Sequence, residues 1–472
     1  MKISLSEIEF INISNADYGK LFFWQNRLFR GIYKENANTV REIFDSGLME
    51  ELIERKYFIK TLISDLDFET FELVLEHEII KTIIYPREWT FSMLKEAALL
   101  ILNINEVAKK YKFKTIDCHV YNVLFKNSNP IYVDFGSFKK SNFSDSVLAP
   151  YHEFMISYIY PLRVFAFIGQ YFGRYSVPES IASNFIPVDE YIKIFYPTLR
   201  RFNNNFLVKF IYFVHILRTL HYRDLTKINK RFIKEILYFI LKTQIYKLGS
   251  GPAKIVRLRK YINHIKQKSN NSYWSNYQYQ LPESQEKSLI NGENRFSIIE
   301  KKLLLLNVKT ITEIAGNQGV FSILIHKHGF DKIICIDADS YALDIGYLSS
   351  QKKCLNIEWA TLNPFANNYS ILEKPPHIRL RSEVVLALAL THHLILSQYI
   401  SISKVIEIFA LYTTKYIFLE FMPLGLHNGI SAPPLPDWYN IENFSLEFSK
   451  FFKIIEICNL EKNRILFIGQ KL

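Results

Sequence analysis

The apolar positions of this 472-residue chain follow different periods in its two halves. From Phe91 to Lys110, residues Met93, Leu94, Ala97, Ala98, Ile101, Ile104 and Val107 recur at helical spacing and predict one long helix with a buried stripe. Beyond about residue 285 the apolar residues come in short continuous runs, such as Lys332-Ile-Ile-Cys-Ile336, Glu383-Val-Val-Leu-Ala-Leu-Ala-Leu390, Tyr416-Ile-Phe-Leu419 and Arg464-Ile-Leu-Phe-Ile468. Runs without alternation suit strands of a parallel sheet covered by helices on both faces. Thr312 to Asp337 reads as strand, glycine-bearing turn, helix and second strand, so the C-terminal part is predicted to be a doubly wound α/β domain.

Residues 1 to about 90 alternate short strands with helical runs such as Val40 to Ile53, and 150 to 268 read as mainly helical. Polar punctuation at Lys268-Ser-Asn-Asn-Ser272 and Pro282-Glu-Ser-Gln-Glu-Lys287 marks the clearest boundary. The expected organisation is an α+β domain over 1–165, a helical extension and linker over 166–280, and the α/β domain over 281–472.

A hydrophobic content of 49% with 15% aromatic residues excludes general disorder. The net charge of +12 is concentrated in Lys227-Ile-Asn-Lys-Arg-Phe-Ile-Lys234 and Lys254-Ile-Val-Arg-Leu-Arg-Lys260, where basic and apolar residues alternate at helical spacing. That is the pattern of an amphipathic helix with a solvated outer face, and residues 227–268 are the place where an anionic surface would bind instead. Cys118, Cys335, Cys354 and Cys458 contain no C-x-x-C pair, which points away from a disulfide framework or a zinc site; three of them lie on or beside predicted strands as buried thiols. The longest later apolar stretches, Phe206 to Leu217 and Phe232 to Leu241, are interrupted by Lys209, His215 and Lys234, and no signal-length segment opens the chain. A soluble, cytoplasmic protein without a transmembrane segment is expected, and its oligomeric state is left open.

The chemistry begins at Thr312-Glu-Ile-Ala-Gly-Asn-Gln-Gly319. A turn leaving a parallel strand brings backbone close to a ligand, and Ala315, Gly316 and Gly319 keep its apex small. Asp337, 24 residues after Glu313, is placed to accept hydrogen bonds from two ribose hydroxyls. G-x-G-x-x-G is absent, so a nucleoside ligand without a pyrophosphate fits best.

These residues resemble the first motif of the class I S-adenosylmethionine-dependent methyltransferases. Glu313, Asn317, Gly319, Phe321 and Ser322 match; Ala315 departs from the family's first glycine, with Gly316 beside it. Glu383 to Leu394 resembles the fourth motif, with Glu383 in place of the usual aspartate and His392-His393 after the strand. Asn356 to Pro364 resembles the third strand, with Ala360 or Thr361 where the family commonly places an aspartate for the adenine. The resemblance spans about residues 285 to 472 and implies a Rossmann-like fold with S-adenosylmethionine held by Glu313, Ala315, Gly316, Asn317, Gly319, Asp337 and Glu383. A hydroxyl or protonated-amine acceptor needs a base, for which His393 is the first candidate and His392 the second.

The first half carries a separate constellation. Ile116-Asp117-Cys-His-Val-Tyr-Asn122, followed by a hairpin turning at Lys126-Asn-Ser-Asn129 and by Asp134-Phe-Gly136, resembles the catalytic and metal loops of protein kinases and aminoglycoside-type phosphotransferases. The resemblance implies that Asp117 orients an acceptor hydroxyl while Asn122 and Asp134 hold a magnesium ion for ATP. Gly19, Gly31 and Gly47 stand singly, no glycine-rich loop is present, and Lys56 and Lys60 are the only lysine candidates, by default. The alternative is a retained scaffold in which Asp117 and Asn122 hold the loop by bonds to backbone. Segments including Asn26 to Gly31, Leu73 to Glu78, Tyr85 to Leu99 and Trp274 to Tyr277 are similar, in order, to a group of bacterial methyltransferases with a kinase-like N-terminal region. That similarity implies methyl transfer to a small-molecule or saccharide-type acceptor. The rivals are a non-catalytic kinase-like binding or scaffold protein with a degenerate methyltransferase fold, and a small-molecule kinase using Asp117, Asn122 and Asp134.

Overall fold

The computed structural model describes residues 3–11, 18–141, 148–168, 254–267, 274, 294–366, 373–427, 431 and 433–472. The basic run at Lys227 to Lys234, the two long apolar stretches and the boundary expected near residue 280 lie outside them.

The N-terminal half begins with β1 (Glu9–Phe10), β2 (Lys20–Trp24), β3 (Arg27–Ile32), β4 (Thr61–Ile63) and β5 (Leu73–His77), an antiparallel sheet in the order β1-β2-β3-β5-β4. Helices α1 (Lys34–Asp45) and α2 (Leu48–Glu54) lie between β3 and β4, divided at Gly47. The predicted long helix is α3 (Phe91–Lys110); the Thr90 hydroxyl caps it by accepting from the Met93 N–H, and the stripe from Met93 to Val107 is buried. Beyond it come β6 (Phe113–Thr115), the hairpin β7 (Val123–Lys126) and β8 (Asn129–Tyr132), and β9 (Phe138–Lys140). Asn127 and Ser128 both have positive φ, 54° and 60°, which gives the two-residue turn matching the strands' right-handed twist at the predicted place. Residues 151–168 are helical. Helix α4 (Ile255–His264) buries Ile255, Leu258 and Ile262 and pairs Arg259 with Asn103 and Glu106 of α3, so the described part of the basic region has an inner apolar stripe.

The C-terminal half contains α5 (Arg295–Leu304), β10 (Thr310–Ile314), α6 (Val320–Ile325), β11 (Lys332–Asp337), α7 (Ser340–Lys353), β12 (Glu358–Thr361), β13 (Ser382–Ala387), α8 (Ile402–Tyr412), β14 (Thr413–Phe421), α9 (Ile441–Phe448), β15 (Phe452–Glu461) and β16 (Arg464–Lys471). They form one seven-stranded sheet in the order β12-β11-β10-β13-β14-β16-β15, parallel except where β16 runs antiparallel to β14 and β15. The chain builds outward from β10 to β12 and restarts at β13 on the other side of β10. The crevice where that order reverses, at the carboxyl ends of β10 and β13, is where a doubly wound sheet binds ligands.

Two details depart from expectation. Strand β15, at the edge of the sheet, is an element that the expected runs did not include: Phe452, Ile454, Cys458 and Leu460 are its less exposed positions and alternate with exposed Lys453, Ile455, Ile457 and Asn459. Cys354 is exposed at the carboxyl end of α7 rather than buried, whereas Cys118 and Cys335 are buried and Cys458 is partly so.

The two halves share a continuous hydrophobic core and a polar seam. The Ser92 N–H and hydroxyl donate to Asp344 of α7 at 2.9 and 2.7 Å. The hairpin tip docks on edge strand β12, where the Ser128 hydroxyl donates to the Ile357 carbonyl (2.7 Å) and the Asn127 N–H to Glu358 (3.0 Å). Two buried ion pairs, Arg87 with Glu373 and Arg379 with Glu88, complete the seam.

Candidate functional site

The site forms where β10 and β11 end. Ala315 and Asn317 both have positive φ, 58° and 56°, as does Gly319 at 67°. A Cβ on Gly319 would sit 2.3 Å from the Trp359 ring, and one on Gly316 would sit 2.5 Å from Cys335 Sγ. Both glycines are therefore required by the close approach of turn to sheet. Ala315 adopts the left-handed conformation expected of a glycine, so the departure at this position leaves the turn intact at a cost of about 1 kcal/mol.

Asp337 ties the two strand ends together. Its Oδ2 accepts from the Asn317 N–H and its Oδ1 from the Asp339 N–H, both at 2.7 Å. Burial pushes its carboxyl up to about 6 despite these bonds. Glu313 is buried beneath the turn, where its carboxylate accepts from the Ser322 N–H (3.0 Å) and hydroxyl; burial pushes it up to about 7. The turn residues Glu313, Ala315, Gly316, Asn317 and Gly319 are thus brought together with Asp337.

His392 and His393 enter from the other side of the crevice. They are not at the strand end itself: after β13 the chain turns at Ala389 (φ 53°), and His393 opens a π-helical turn, His393–Ser397. The His392 ring is buried and its Nδ1 has no hydrogen-bond partner; burial and neighbouring His393 hold its pKa down to about 3. His393 is lowered by burial alone. Its ring stacks edge-on with Trp274, centroids 4.9 Å apart, and the Trp274 carbonyl accepts from Asn317 Nδ2 at 3.1 Å. Trp274 thereby bridges the glycine turn and His393, a role that its sequence position did not reveal.

Glu383 is a correction. It stands at the amino end of β13, the end opposite the crevice, where it pairs with Lys415 (2.6 Å) and accepts from the Lys309 and Thr310 N–H groups. The carboxylate beside the histidine turn is Glu420 of β14, fully buried, which pairs with Arg295 (3.2 Å) and Arg464 (2.8 Å) and accepts from the Ala389 N–H (2.8 Å). Its signal was an acidic residue inside an otherwise apolar strand. At the end of β12, Thr361 is buried next to Asp337 in register, and its hydroxyl has no partner.

In the N-terminal half, Asp117 accepts from the His119 N–H (2.7 Å) and Asp134 from the Gly136 N–H (3.0 Å), while the Asn122 Nδ2 is buried without a partner. Lys56 and Lys60 are both exposed, whereas Arg30 of β3, only 3% exposed and with Nε and Nη1 unpartnered, lies near Asp134. Among the described residues no three His, Cys, Asp or Glu side chains gather as a metal site, and no helix is long and apolar enough to cross a membrane.

The fold defines an α/β protein with a crevice at the switch point of a doubly wound sheet. No protein-family model matches the sequence. The chain is similar to nodulation protein NoeA of Rhizobium meliloti (strain 1021), 24% identical over 430 residues that cover 86% of this chain and 83% of that one. Among solved structures it resembles N-methyltransferase NodS of Bradyrhizobium japonicum WM9 in complex with S-adenosyl-L-homocysteine (14% identity, 43% of this chain and 99% of that one, TM-score 0.30). It also resembles a TehB-like SAM-dependent methyltransferase of Corynebacterium glutamicum (9% identity, 43% and 100%, TM-score 0.30). At these TM-scores the fold assignment rests on the strand order alone.

Proposed function

We propose that the chain is an S-adenosylmethionine-dependent methyltransferase acting on a small-molecule or saccharide-type acceptor. The observation that carries this reading is Asp337, fixed at the tip of β11 by N–H groups from both flanking turns and adjoining the glycine turn at the switch point. The residues suit the cofactor: Asp337 presents a carboxylate beside the glycine turn, and the unpartnered Thr361 hydroxyl supplies a polar atom where the adenine-binding aspartate is missing. Glu313 to Gly319 would hold the methionine and ribose portions, and Asp337 the ribose. When bound, the cofactor supplies an electrophilic methyl group on a sulfonium.

The chain's own part is to position the acceptor and take its proton. His393 is the better base, because His392, held near 3, takes up a proton only in strong acid. The test is calorimetric titration with S-adenosylmethionine. Wild-type protein is expected to bind, and Asp337→Ala to weaken binding by about tenfold or more, the worth of one charge-assisted hydrogen-bond pair. No heat in either protein sinks the proposal.

A second reading concerns the N-terminal half: a kinase-like binding module. Its support is the sheet order β1-β2-β3-β5-β4, with Arg30 on β3 near Asp134. Against phosphoryl transfer stand the missing glycine-rich loop and an arginine where a lysine serves kinases. Magnesium-dependent ATP binding that disappears in Asp134→Ala and Asn122→Ala would establish nucleotide recognition; its absence from wild-type protein leaves the constellation as scaffold.

A further inference from the structure

Trp274 belongs to none of the sheet's elements. It lies in sequence between α4 and α5, ahead of the boundary expected near residue 280, yet it touches both sides of the crevice. On one side Asn317 Nδ2 donates to its carbonyl (3.1 Å), and the Asn317 N–H donates to Asp337 (2.7 Å). On the other its ring meets the His393 ring at 79°, with centroids 4.9 Å apart. An unbroken series of contacts therefore runs from Asp337 through Asn317 and Trp274 to His393.

The backbone of His393 is fixed by its turn: its N–H donates to the Leu390 carbonyl and its carbonyl accepts from the Gln398 N–H, both at 3.1 Å. The ring is held instead by its aromatic neighbours, Trp274 and His392, the latter with its centroid 4.0 Å away. An edge-to-face pair favours its own arrangement over others by about two- to tenfold. The charged groups on the sheet side lie behind His392, where Arg464 pairs with Glu420 beside Arg295. Burial is the cause that acts on His393 itself, and it lowers the pKa, which keeps the ring neutral and able to take a proton.

We infer that Trp274 is a positioning residue: anchored on the glycine turn by its carbonyl, it sets the pose of the His393 ring and couples that ring to the cofactor turn. The coupling to a cofactor rests on the methyltransferase reading above; the positioning of His393 does not.

The test is an NMR titration of His393 in the full chain, carrying isotope-labelled histidine and assigned by the signal lost in His393→Gln. Trp274→Ala admits water to the ring and is expected to raise the pKa of His393 toward the ordinary imidazole value. Trp274→Phe, which keeps an aromatic edge and the backbone carbonyl, is expected to titrate close to wild type. Asn317→Gly preserves the left-handed turn while removing the amide that anchors Trp274, so it is expected to shift His393 in the same direction as Trp274→Ala. S-adenosylmethionine is expected to move the His393 signal in wild-type protein and to move it less in Trp274→Ala. An unchanged titration in Trp274→Ala, or in Asn317→Gly should Trp274→Ala fail to fold, overturns the positioning role. Equal movement of the signal by the cofactor in wild type and Trp274→Ala overturns the coupling. Wild-type protein that binds no S-adenosylmethionine overturns the methyltransferase reading and the coupling with it, and the titration by itself then decides what Trp274 does for His393.

Discussion

At Ala315 a methyl group sits on a backbone that glycine adopts without penalty, and its neighbour Gly316 cannot exchange with it because Cys335 closes the space. Ala315→Gly is therefore expected to stabilise the fold by up to about 1 kcal/mol, read as a higher urea midpoint, once the greater freedom of glycine in the unfolded chain is set against the relieved strain. Glu313 gives a pH signature. Its carboxyl rises from 4.5 to about 7 on burial, so between those values the folded state holds more protons than the unfolded one. Stability from this group is then present at low pH and lost as pH rises toward 7, a change of about 3 kcal/mol. Asp337 and Glu358 are raised in the same sense, so the measurement is a difference: urea midpoints from pH 5 to 7.5 should slope less in Glu313→Gln than in wild type. Equal slopes would show that Glu313 is already ionised in the folded protein.

Among the elements, the connections around α3 carry the most consequence. Tyr85 to Trp89 leads into α3 and contributes Arg87 and Glu88, which pair with Glu373 and Arg379 on the stretch between β12 and β13. Glu373 also accepts from the Tyr121 hydroxyl (3.1 Å), next to Asn122, so the Asp117–Asn122 loop is tied to the chain between β12 and β13. Removing one partner of such a pair strands a buried charge, whereas removing both removes the desolvation cost as well. Arg87→Ala is expected to lose about 3–5 kcal/mol in chemical denaturation, and Arg87→Met combined with Glu373→Leu to recover most of it. A double variant as unstable as the single one would mean that the pair contributes through geometry rather than through compensated charge.

For the whole molecule, the seam from Ser92–Asp344 through the hairpin tip on β12 to the two ion pairs joins the two halves through buried polar contacts. The full chain is expected to unfold in a single calorimetric transition, its calorimetric and van't Hoff enthalpies agreeing. Two resolved transitions would show that the seam contributes little.

What the sequence determined by itself was local. The stripe of α3, the hairpin turn at Asn127-Ser128, the course of β10, α6 and β11, and the meeting of Glu313, Gly319 and Asp337 all follow from periodicity, turn chemistry and the short loops that hold consecutive elements adjacent. Only the tertiary structure decided the rest, because those facts depend on which segments distant in sequence come to lie together. It set Glu383 at the wrong end of its strand for the site and brought Glu420 between Arg295 and Arg464 in its place. It also laid Trp274 against His393, placed Arg30 near Asp134, and gave the edge position to β15. An apolar run says that a strand is buried, but which of its ends meets a ligand is settled by direction and order in the sheet.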